Sequence, residues 1–210
     1  MRLIGDVSVK RVIDVGCGTG YLTAEISRRA SFVLGLDQSK GMIDIANREY
    51  GHLPQLKFIN ESIEDFSNSQ QVSSFDVAIA NMSLITMPNL NKALKAVSSI
   101  LVTKGIFVAN ITHPCFYNQH RHYEPDESFQ YIISHPQKGK FIISNDAKGL
   151  SSPTTHFHRP LQEYFKSLRE ASFVVDQLVE PFPNPRIMKL YLTPWEAPRF
   201  LSLKCVKMQI

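Results

Sequence analysis

The sequence has little cysteine, no long apolar run and no strong excess of one charge. Its three cysteines, Cys17, Cys115 and Cys205, lie far apart and form no Cys-x-x-Cys pair, which argues against a disulfide framework and predicts a reduced, cytoplasmic compartment. No apolar run approaches the roughly 18 residues of a membrane span, and the first residues lack the apolar core of a signal peptide. The net charge of +4 is spread over both halves of the chain. We therefore expect no membrane insertion, and the charge does not favour nucleic acid as a partner.

Internal repeats are also absent, and the length of 210 residues predicts one domain, 1–210. A chain of this size buries about 70% of its unfolded surface without any extra crosslink. Within the domain, segment 114–158 breaks the alternation of strands and helices. Together with His113 it carries six of the seven histidines, many aromatic residues and a candidate strand at Phe141–Ser144. The length and the aromatic content of this excursion favour a functional role.

The segment Val12–Gly20 joins a short apolar run to three glycines at alternate positions. Its β-branched residues predict a buried parallel strand, and the glycines allow a tight turn where a ligand can lie against bare backbone. Thr19 is expected to cap the following helix, whose free N–H groups favour a carboxylate or phosphate. A second predicted strand, 31–37, ends on Asp37. A strand, a helix and a strand with a terminal acid are typical of nucleoside-binding units.

Further strands and helices alternate along the rest of the chain. Apolar runs predict strands at 56–60, 75–81, 106–111, 173–179 and 200–206. Helices are predicted after Ser39, at 90–101 with Lys104-Gly105 as the stop, and from Pro160 as the first helical residue. The polar segment Glu61–Phe66 is interpreted as a loop. The alternation predicts an α/β fold with a largely parallel sheet.

The spacing of the glycines separates the candidate nucleotide ligands. A dinucleotide turn has the pattern G-x-G-x-x-G, whereas Gly16, Gly18 and Gly20 follow G-x-G-x-G after Asp14, which disfavours a nicotinamide dehydrogenase. The shorter pattern resembles the first motif of class I S-adenosylmethionine-dependent methyltransferases. The resemblance implies S-adenosylmethionine as the cofactor. It also implies a Rossmann-like, seven-stranded, mostly parallel sheet with an antiparallel last strand, helices on both faces and an insertion after strand five.

The resemblance further implies a set of cofactor-binding residues. In that family an acid at the end of strand two holds the ribose hydroxyls, a loop after strand three flanks the adenine, and the segment after strand four lines the methyl-donor pocket. Carried over to this chain, the set comprises Asp14, Gly16, Cys17, Gly18, Thr19, Gly20, Asp37, Gln38, Met42, Ser62, Ile63, Glu64, Asn81 and Met82. Ser62 stands where family members often have an acid near the adenine, so Glu64 or a backbone carbonyl is the alternative there.

Further segments resemble one subgroup, the bacterial-type small-molecule methyltransferases related to the type 11 and ubiquinone/menaquinone groups. They are Asn81–Leu84, Lys104-Gly105, Thr112–Phe116 and His156–Leu161. The resemblance implies methyl transfer by in-line displacement to a small-molecule acceptor held under segment 114–158. The rival hypothesis is a catalytically silent, methyltransferase-like binding subunit. The short stretch of about ten residues before the first strand motivates it, whereas the intact glycine turn and Asp37 argue against it.

His113 is the candidate general base, because it follows the fifth predicted strand, which opens toward the methyl group. An equally ordinary role is to orient the turn at Pro114. Tyr117, His158 and Arg159 are candidates for holding the acceptor, and an arginine would suit a carboxylate. Core packing or surface solvation is the alternative for each of these three. A base is needed only if the acceptor must lose a proton.

Three other chemistries find weaker support. Pro114-Cys115 is similar to the proline-cysteine pairs of pyrimidine C5 methyltransferases, but their second cysteine motif is missing after strand four. No Asn-Pro-Pro-aromatic motif follows that strand either, so amino methylation by that motif is unsupported. The pairs His120/His122 and His156/His158 each point two imidazoles one way on a strand, enough to begin a zinc site. No cysteine or acid cluster completes four ligands, and no metal is expected.

Overall fold

The computed structural model of the chain describes residues 2–69, 74–116, 129–139, 154–191 and 194–209. The strands are β1 (Arg11–Val15), β2 (Phe32–Asp37), β3 (Leu56–Asn60), β4 (Phe75–Asn81), β5 (Leu101–Thr112), β6 (His135–Gly139), β7 (Thr154–His158), β8 (Phe173–Val179) and β9 (Phe200–Lys207). The helices are α1 (Tyr21–Ser27), α2 (Lys40–Tyr50), α3 (Ile63–Ser69), α4 (Leu90–Ile100), α5 (Leu161–Glu170) and α6 (Pro185–Met188). Short 3-10 turns lie at Arg2–Ile4 and Leu84–Thr86. None of these described helices has the length and apolarity that a membrane crossing requires.

Seven strands form one sheet in the order β3-β2-β1-β4-β5-β9-β8. β1 pairs in parallel with β2 and β4, and the parallel pairs β2–β3 and β4–β5 extend the sheet on either side. The last strand, β9, lies antiparallel between β5 and β8. This order confirms the Rossmann-like sheet with one antiparallel strand. Because the strand order reverses between β1 and β4, a crevice opens there at the carboxyl ends of the strands, where α/β sheets bind ligands.

Apolar side chains alternate between the two faces of the sheet. Ile13 of β1 belongs to a buried cluster that includes residues of α3, α4 and α5, whereas its neighbour Val12 belongs to a second cluster with α1 and α2. Both side chains are completely buried. Helices therefore cover both faces, as predicted, and the two layers fix the strand ends that surround the crevice.

The prediction of a loop at Glu61–Phe66 is wrong, because α3 begins at Ile63. The hydroxyl of Ser62 accepts a hydrogen bond from the amide of Asp65 at 3.0 Å and so caps the helix. Ile63 and Phe66, one turn apart, are buried in the core. Two apolar positions in one short helix are too few to produce a visible helical period, so the sequence shows only a polar segment.

The ends of two other helices also differ from the prediction. Thr19 does not cap α1; the N-terminal position is taken by Gly20, which has a φ of 82° and makes no side-chain cap. α4 ends at Ile100 and the chain passes directly into β5, so Lys104-Gly105 is not the helix stop. Lys104 instead has a φ of 62°, where the pairing of β5 with β4 shifts register. The glycine there serves an irregular strand rather than a helix terminus.

The described part of segment 114–158 forms a small hairpin sheet. β6 and β7 pair antiparallel, with His135 opposite His158. The chain then returns to the main sheet through Pro160, which occupies the capping position of α5 rather than its first turn. The candidate strand Phe141–Ser144 lies outside the described residues. A single domain, 1–210, with 114–158 as its substrate-side insertion stays a prediction.

Candidate cofactor site

The glycine turn after β1 has a conformation that glycine adopts most readily. Gly16, Gly18 and Gly20 have positive φ angles of 74°, 56° and 82°. A Cβ on Gly16 would lie 2.3 Å from the Cβ of Ser83, so this glycine lets the turn pack against the segment after β4. A Cβ on Gly18 would meet nothing within 4 Å. The turn is therefore tight at Gly16 and open at Gly18, where a ligand can approach the backbone.

The same turn is fastened to the end of β2. The backbone amides of Gly16 and Cys17 both donate to the carbonyl of Leu36 at 2.8 Å. The amide of Gly18 donates to Oδ2 of Asp37 at 2.9 Å. The glycine turn and the acid at the end of β2, two separate predictions from the sequence, thus meet directly.

Asp37 is held in a defined orientation. Its Oδ1 accepts a hydrogen bond from the amide of Ser39 at 2.8 Å, and its backbone carbonyl accepts one from the side chain of Asn60 at 2.9 Å. The side chain itself is half-buried. Because each carboxylate oxygen has two acceptor positions and uses one, two adjacent hydroxyl groups can still bind to it.

Asp14 lies at the end of β1, and only 1% of it is exposed. Thr23 of α1 donates to its Oδ2 at 2.7 Å, while Oδ1 has no hydrogen-bond partner among the described residues. Burial raises the pKa of Asp14 from 3.8 to about 6, and the bond from Thr23 opposes this rise. A buried oxygen without a partner calls for a donor from a water or a ligand.

Cys17 and Thr19 flank Gly18 in the turn. Burial and the negative charges of Asp14 and Asp37 raise the pKa of the Cys17 thiol far above its ordinary value. The thiol therefore stays protonated and is not a nucleophile. Thr19 is exposed.

The segment after β4 contains a backbone outlier. Met82 has a φ of 62°, uncommon for a residue with a side chain, and its amide donates to the carbonyl of Asn110 at 2.7 Å. The hydroxyl of Ser83 donates to the carbonyl of Val15 at 2.5 Å. These bonds hold the strained residue beside the crevice. Strain of this kind persists only where the surrounding structure enforces it, and it clusters at binding sites.

Asn81, the last residue of β4, begins a row of polar side chains across three strands. The side-chain amide of Asn110 in β5 donates to Oδ1 of Asn81 at 3.1 Å. The hydroxyl of Ser202 in β9 donates in turn to Oδ1 of Asn110 at 3.0 Å. Sequence reasoning predicts Asn81 but misses the other two. The position of Asn110 in the sequence could have predicted it, because it stands near the end of the fifth predicted strand as Asn81 stands at the end of the fourth.

The other predicted cofactor residues lie at the starts of α2 and α3. Gln38 is exposed and Met42 is half-buried. The hydroxyl of Ser62 is engaged in the cap of α3, the side chain of Ile63 is buried in the core, and Glu64 is half-buried. The structure therefore joins the glycine turn to Asp37 by a hydrogen bond, whereas Ser62 and Ile63 make contacts that shape α3.

His113 follows β5, and both of its ring nitrogens are bonded to protein groups. Nδ1 accepts from the amide of Cys115 at 3.2 Å, so Nε2 carries the proton and donates to Oε1 of Glu180 at 2.7 Å. The residue is 3% exposed, and its ring lies 4.7 Å from that of Phe116. This geometry orients the turn at Pro114 and occupies both nitrogens that a general base would use.

Arg159, a candidate for holding the acceptor, is also only 3% exposed. Its guanidinium donates to the carbonyls of Leu84 and Pro88 at 3.2 Å each, and to that of Met87. Its Nε lies 3.3 Å from Oε1 of Glu163. These contacts tie the segment after β4 to α5. The positive charge of Arg159 is therefore directed into the protein.

His158 lies in the hairpin sheet. Its Nε2 is bonded to the carbonyl of Tyr131 at 2.8 Å, and its ring packs 4.9 Å from Phe129 and 5.2 Å from His135. Burial lowers the pKa of His158 below its ordinary value. The imidazole is thus engaged within the hairpin. Tyr117, the third acceptor candidate, lies outside the described residues.

The described part of the chain contains no cluster of metal-binding side chains. No group of three or more His, Cys, Asp and Glu side chains in those residues is arranged to hold a metal ion. His156 and His158 both lie on β7, and the pair His120/His122 lies outside the described residues.

An open, mostly parallel sheet with a glycine turn at its switch point and an acid at the end of the second strand defines a nucleoside-binding α/β domain. The chain belongs to a family of methyltransferase domains, whose model matches residues 6–170. This match confirms the predicted family, and with it S-adenosylmethionine as the cofactor.

Named relatives share parts of this chain. It is 26% identical over 139 residues to the malonyl-[acyl-carrier protein] O-methyltransferase of Bacillus cereus, and the aligned region covers 65% of this chain and 50% of that protein. It is 32% identical over 111 residues to the trans-aconitate 2-methyltransferase of Deinococcus radiodurans, with coverages of 52% and 40%. The chain thus matches half or less of the length of these two relatives.

A solved structure shows the same fold over nearly the whole chain. The S-adenosylmethionine-dependent methyltransferase of Mesorhizobium loti superposes with a TM-score of 0.77 and 22% sequence identity. The superposition covers 98% of this chain and 94% of the other.

Proposed function

We propose that this protein transfers a methyl group from S-adenosylmethionine to a small-molecule acceptor by in-line displacement. The observation that carries the proposal is the open Gly18 backbone bonded to the carboxylate of Asp37. The relative named for trans-aconitate supports the choice of a small acceptor. The free thiols of Cys17, Cys115 and Cys205 support a reduced, cytoplasmic location.

The roles of the residues follow from their positions around the crevice. When bound, S-adenosylmethionine supplies a methyl group carried on a positively charged sulfur. Asp37 offers its two remaining acceptor positions to a pair of ribose hydroxyls, and Gly18 leaves room for them. Asp14 offers its unpaired Oδ1 to a donor beneath the turn. Asn81 and Met82 close the β4 side of the same crevice.

Catalysis by this chain rests mainly on orientation. Holding two reactants close and collinear is worth roughly 7–11 kcal/mol of a reaction barrier, and an acceptor that reacts without losing a proton needs no base. His113 supports this interpretation, since its two nitrogens bind Cys115 and Glu180. We assign His113 a positioning role, in which it holds the turn that follows β5.

Calorimetric titration with S-adenosylhomocysteine, the demethylated form of the cofactor, tests the cofactor site. We expect the wild-type protein to bind it, and Asp37→Ala to weaken binding about 10- to 100-fold, because hydrogen bonds to a charged group are lost. Asp44→Ala, which removes an exposed carboxylate from α2, is the matched control and should leave affinity within about twofold. No binding at millimolar ligand, or equal affinities of the two variants, would refute the proposed site.

Turnover is tested separately with S-adenosylmethionine and a protein-free metabolite extract. Mass spectrometry should detect S-adenosylhomocysteine with the wild-type protein and little with Asp37→Ala. Binding of the cofactor without any product, together with a stable partner complex in size-exclusion light scattering, would instead favour the catalytically silent subunit.

A further inference from the structure

A cleft of about 330 Å³ lies beside the cofactor crevice and shares Asn81 with it. It is lined by residues of α1, β4, β5 and β9 and by the segments near Ile4 and Pro181. In the sheet register Asp14 pairs with Ile79, so Asn81, two residues further along β4, lies level with Gly16. The cleft therefore opens next to the glycine turn, and its volume is within the range of small-ligand sites.

The polar lining of the cleft is the row formed by Asn81, Asn110 and Ser202. The internal bonds of the row use Oδ1 of Asn81 and Oδ1 of Asn110 as acceptors. Among the described residues, no protein group bonds to the side-chain nitrogen of Asn81. That nitrogen can donate to a carbonyl or hydroxyl oxygen of a ligand, and the Ser202 oxygen can accept from a ligand donor.

The other eight of the eleven lining residues are apolar, among them Leu22, Val108 and Phe200. The described lining contains no charged side chain. An anion or a cation that entered the cleft would lose water without gaining a counter-charge, at a cost of several kcal/mol. A neutral, largely apolar molecule would gain from the same walls.

Charged groups near the cleft are already engaged. Lys204 lies two residues beyond Ser202 on the same face of β9 and is paired with Asp176 at 2.8 Å. Glu180, which precedes Pro181, is bonded to His113. Arg199, which precedes Phe200, packs its guanidinium over the rings of Trp195 and Tyr191, 5.0 and 5.6 Å from their centroids. These two described cations beside the lining thus already have partners within the protein.

We infer that this cleft binds the methyl acceptor and that the acceptor part it takes is uncharged, largely apolar and equipped with a carbonyl or hydroxyl group for the Asn81–Asn110–Ser202 row. The inference rests on the proposed function, because the bound molecule is a methyl acceptor only if the protein transfers a methyl group. It adds the substrate class and two binding residues, Asn110 and Ser202.

Three probes of matched shape and different charge test the class of ligand: benzamide, benzoate and benzylamine. Their affinities are measured by saturation-transfer NMR at millimolar concentration, with and without saturating S-adenosylhomocysteine. We expect benzamide to bind at least about tenfold more tightly than benzoate or benzylamine, because only the ions lose hydration without compensation. Equal binding of benzoate, or binding of none of the three, would overturn the inference.

Variants locate the binding to the polar row. Asn110→Ala should weaken benzamide binding about five- to tenfold, since it removes the centre of the row, and Ser202→Ala is the second variant should the first fail to fold. Asn91→Ala and Ser99→Ala, on α4 at the opposite face of the sheet, are the matched controls. Benzamide affinity unchanged in both row variants would overturn the assignment. Calorimetry with S-adenosylhomocysteine on the same samples distinguishes failure of this inference from failure of the proposed cofactor site. If the cofactor does not bind, the probe titrations made without cofactor still report on the cleft.

Discussion

Asp14 combines complete burial, one hydrogen bond and one unpaired oxygen, and this combination makes its proton a stability determinant. In the folded protein the pKa is about 6, compared with an ordinary value of 3.8. Between these pH values the folded carboxyl group keeps a proton that the unfolded chain has released. Raising the pH through this window therefore lowers the free energy of unfolding, and the loss is complete above pH 6.

Replacement of Asp14 by Asn removes the titrating group while keeping the shape. We expect the stability of Asp14→Asn relative to wild type to increase by about 2–3 kcal/mol between pH 4 and pH 8, following the size of the pKa shift. Urea denaturation at the two pH values measures this difference. Asp44→Asn, an exposed carboxylate on α2, is the control and should change by less than about 0.5 kcal/mol. A relative stability of Asp14→Asn that does not depend on pH would contradict the buried, protonated state.

At the scale of elements, Arg159 connects three parts of the chain that are far apart in sequence. It joins the carbonyls after β4 to the start of α5 and contacts the ring of Phe157 in β7, 5.1 Å from its centroid. The 3-10 turn at Leu84–Thr86 therefore depends on a side chain about 75 residues away. The strained Met82 lies just before this turn, so the same bonds support the crevice.

A lysine at position 159 keeps the charge but not the planar fork that reaches several carbonyls. We expect Arg159→Lys to lower the free energy of unfolding by about 2–4 kcal/mol, because buried carbonyls and Glu163 lose their donors. Arg169→Lys, at the exposed end of α5, is the matched control and should cost less than about 0.5 kcal/mol. Thermal and urea denaturation measure both variants, and similar effects would show that the buried fork is dispensable.

Elements with long apolar runs are predictable from this sequence, whereas their junctions are not. Strands β3, β4 and β8 match their predicted bounds, because short runs rich in apolar and β-branched residues mark strands. The glycine that follows α4 was an ambiguous signal: Gly105 serves a bulge in β5, and the helix ends at Ile100 without a glycine. Capping and bulges depend on tertiary contacts that a local pattern does not contain.

The candidate site likewise has a part that the sequence predicts and a part that depends on tertiary contacts. The glycine turn and Asp37 are local motifs, so the sequence alone predicts them. Ser202 enters the polar row only because β9 runs antiparallel with Asn110 opposite it, and the register of such a pair is not visible in the sequence. The buried placement of Arg159 was equally hidden, since its partners are backbone carbonyls, which every sequence contains.

At the scale of the whole molecule, the sheet is anchored unevenly from centre to edge. β1 is paired on both sides and buried from Val12 to Val15. β8 has one neighbour, β9, and its Val174 and Leu178 are 51% and 47% exposed. The crevice therefore lies in the most tightly held region, while the far edge has few buried contacts to hold it.

Hydrogen exchange followed by mass spectrometry measures this gradient. We expect the amides of β1 and β4 to exchange most slowly, with opening free energies near that of global unfolding, and those of β8 to exchange faster by several kcal/mol of local opening. S-adenosylhomocysteine should slow exchange further at the glycine turn and at the end of β4, because a ligand bound to the folded state stabilises the segments it contacts. The amides of β8 serve as the internal control, since no proposed ligand contact reaches them. Equal protection of β1 and β8 would contradict the graded sheet, and slowing of β8 alone on ligand addition would place the ligand away from the crevice.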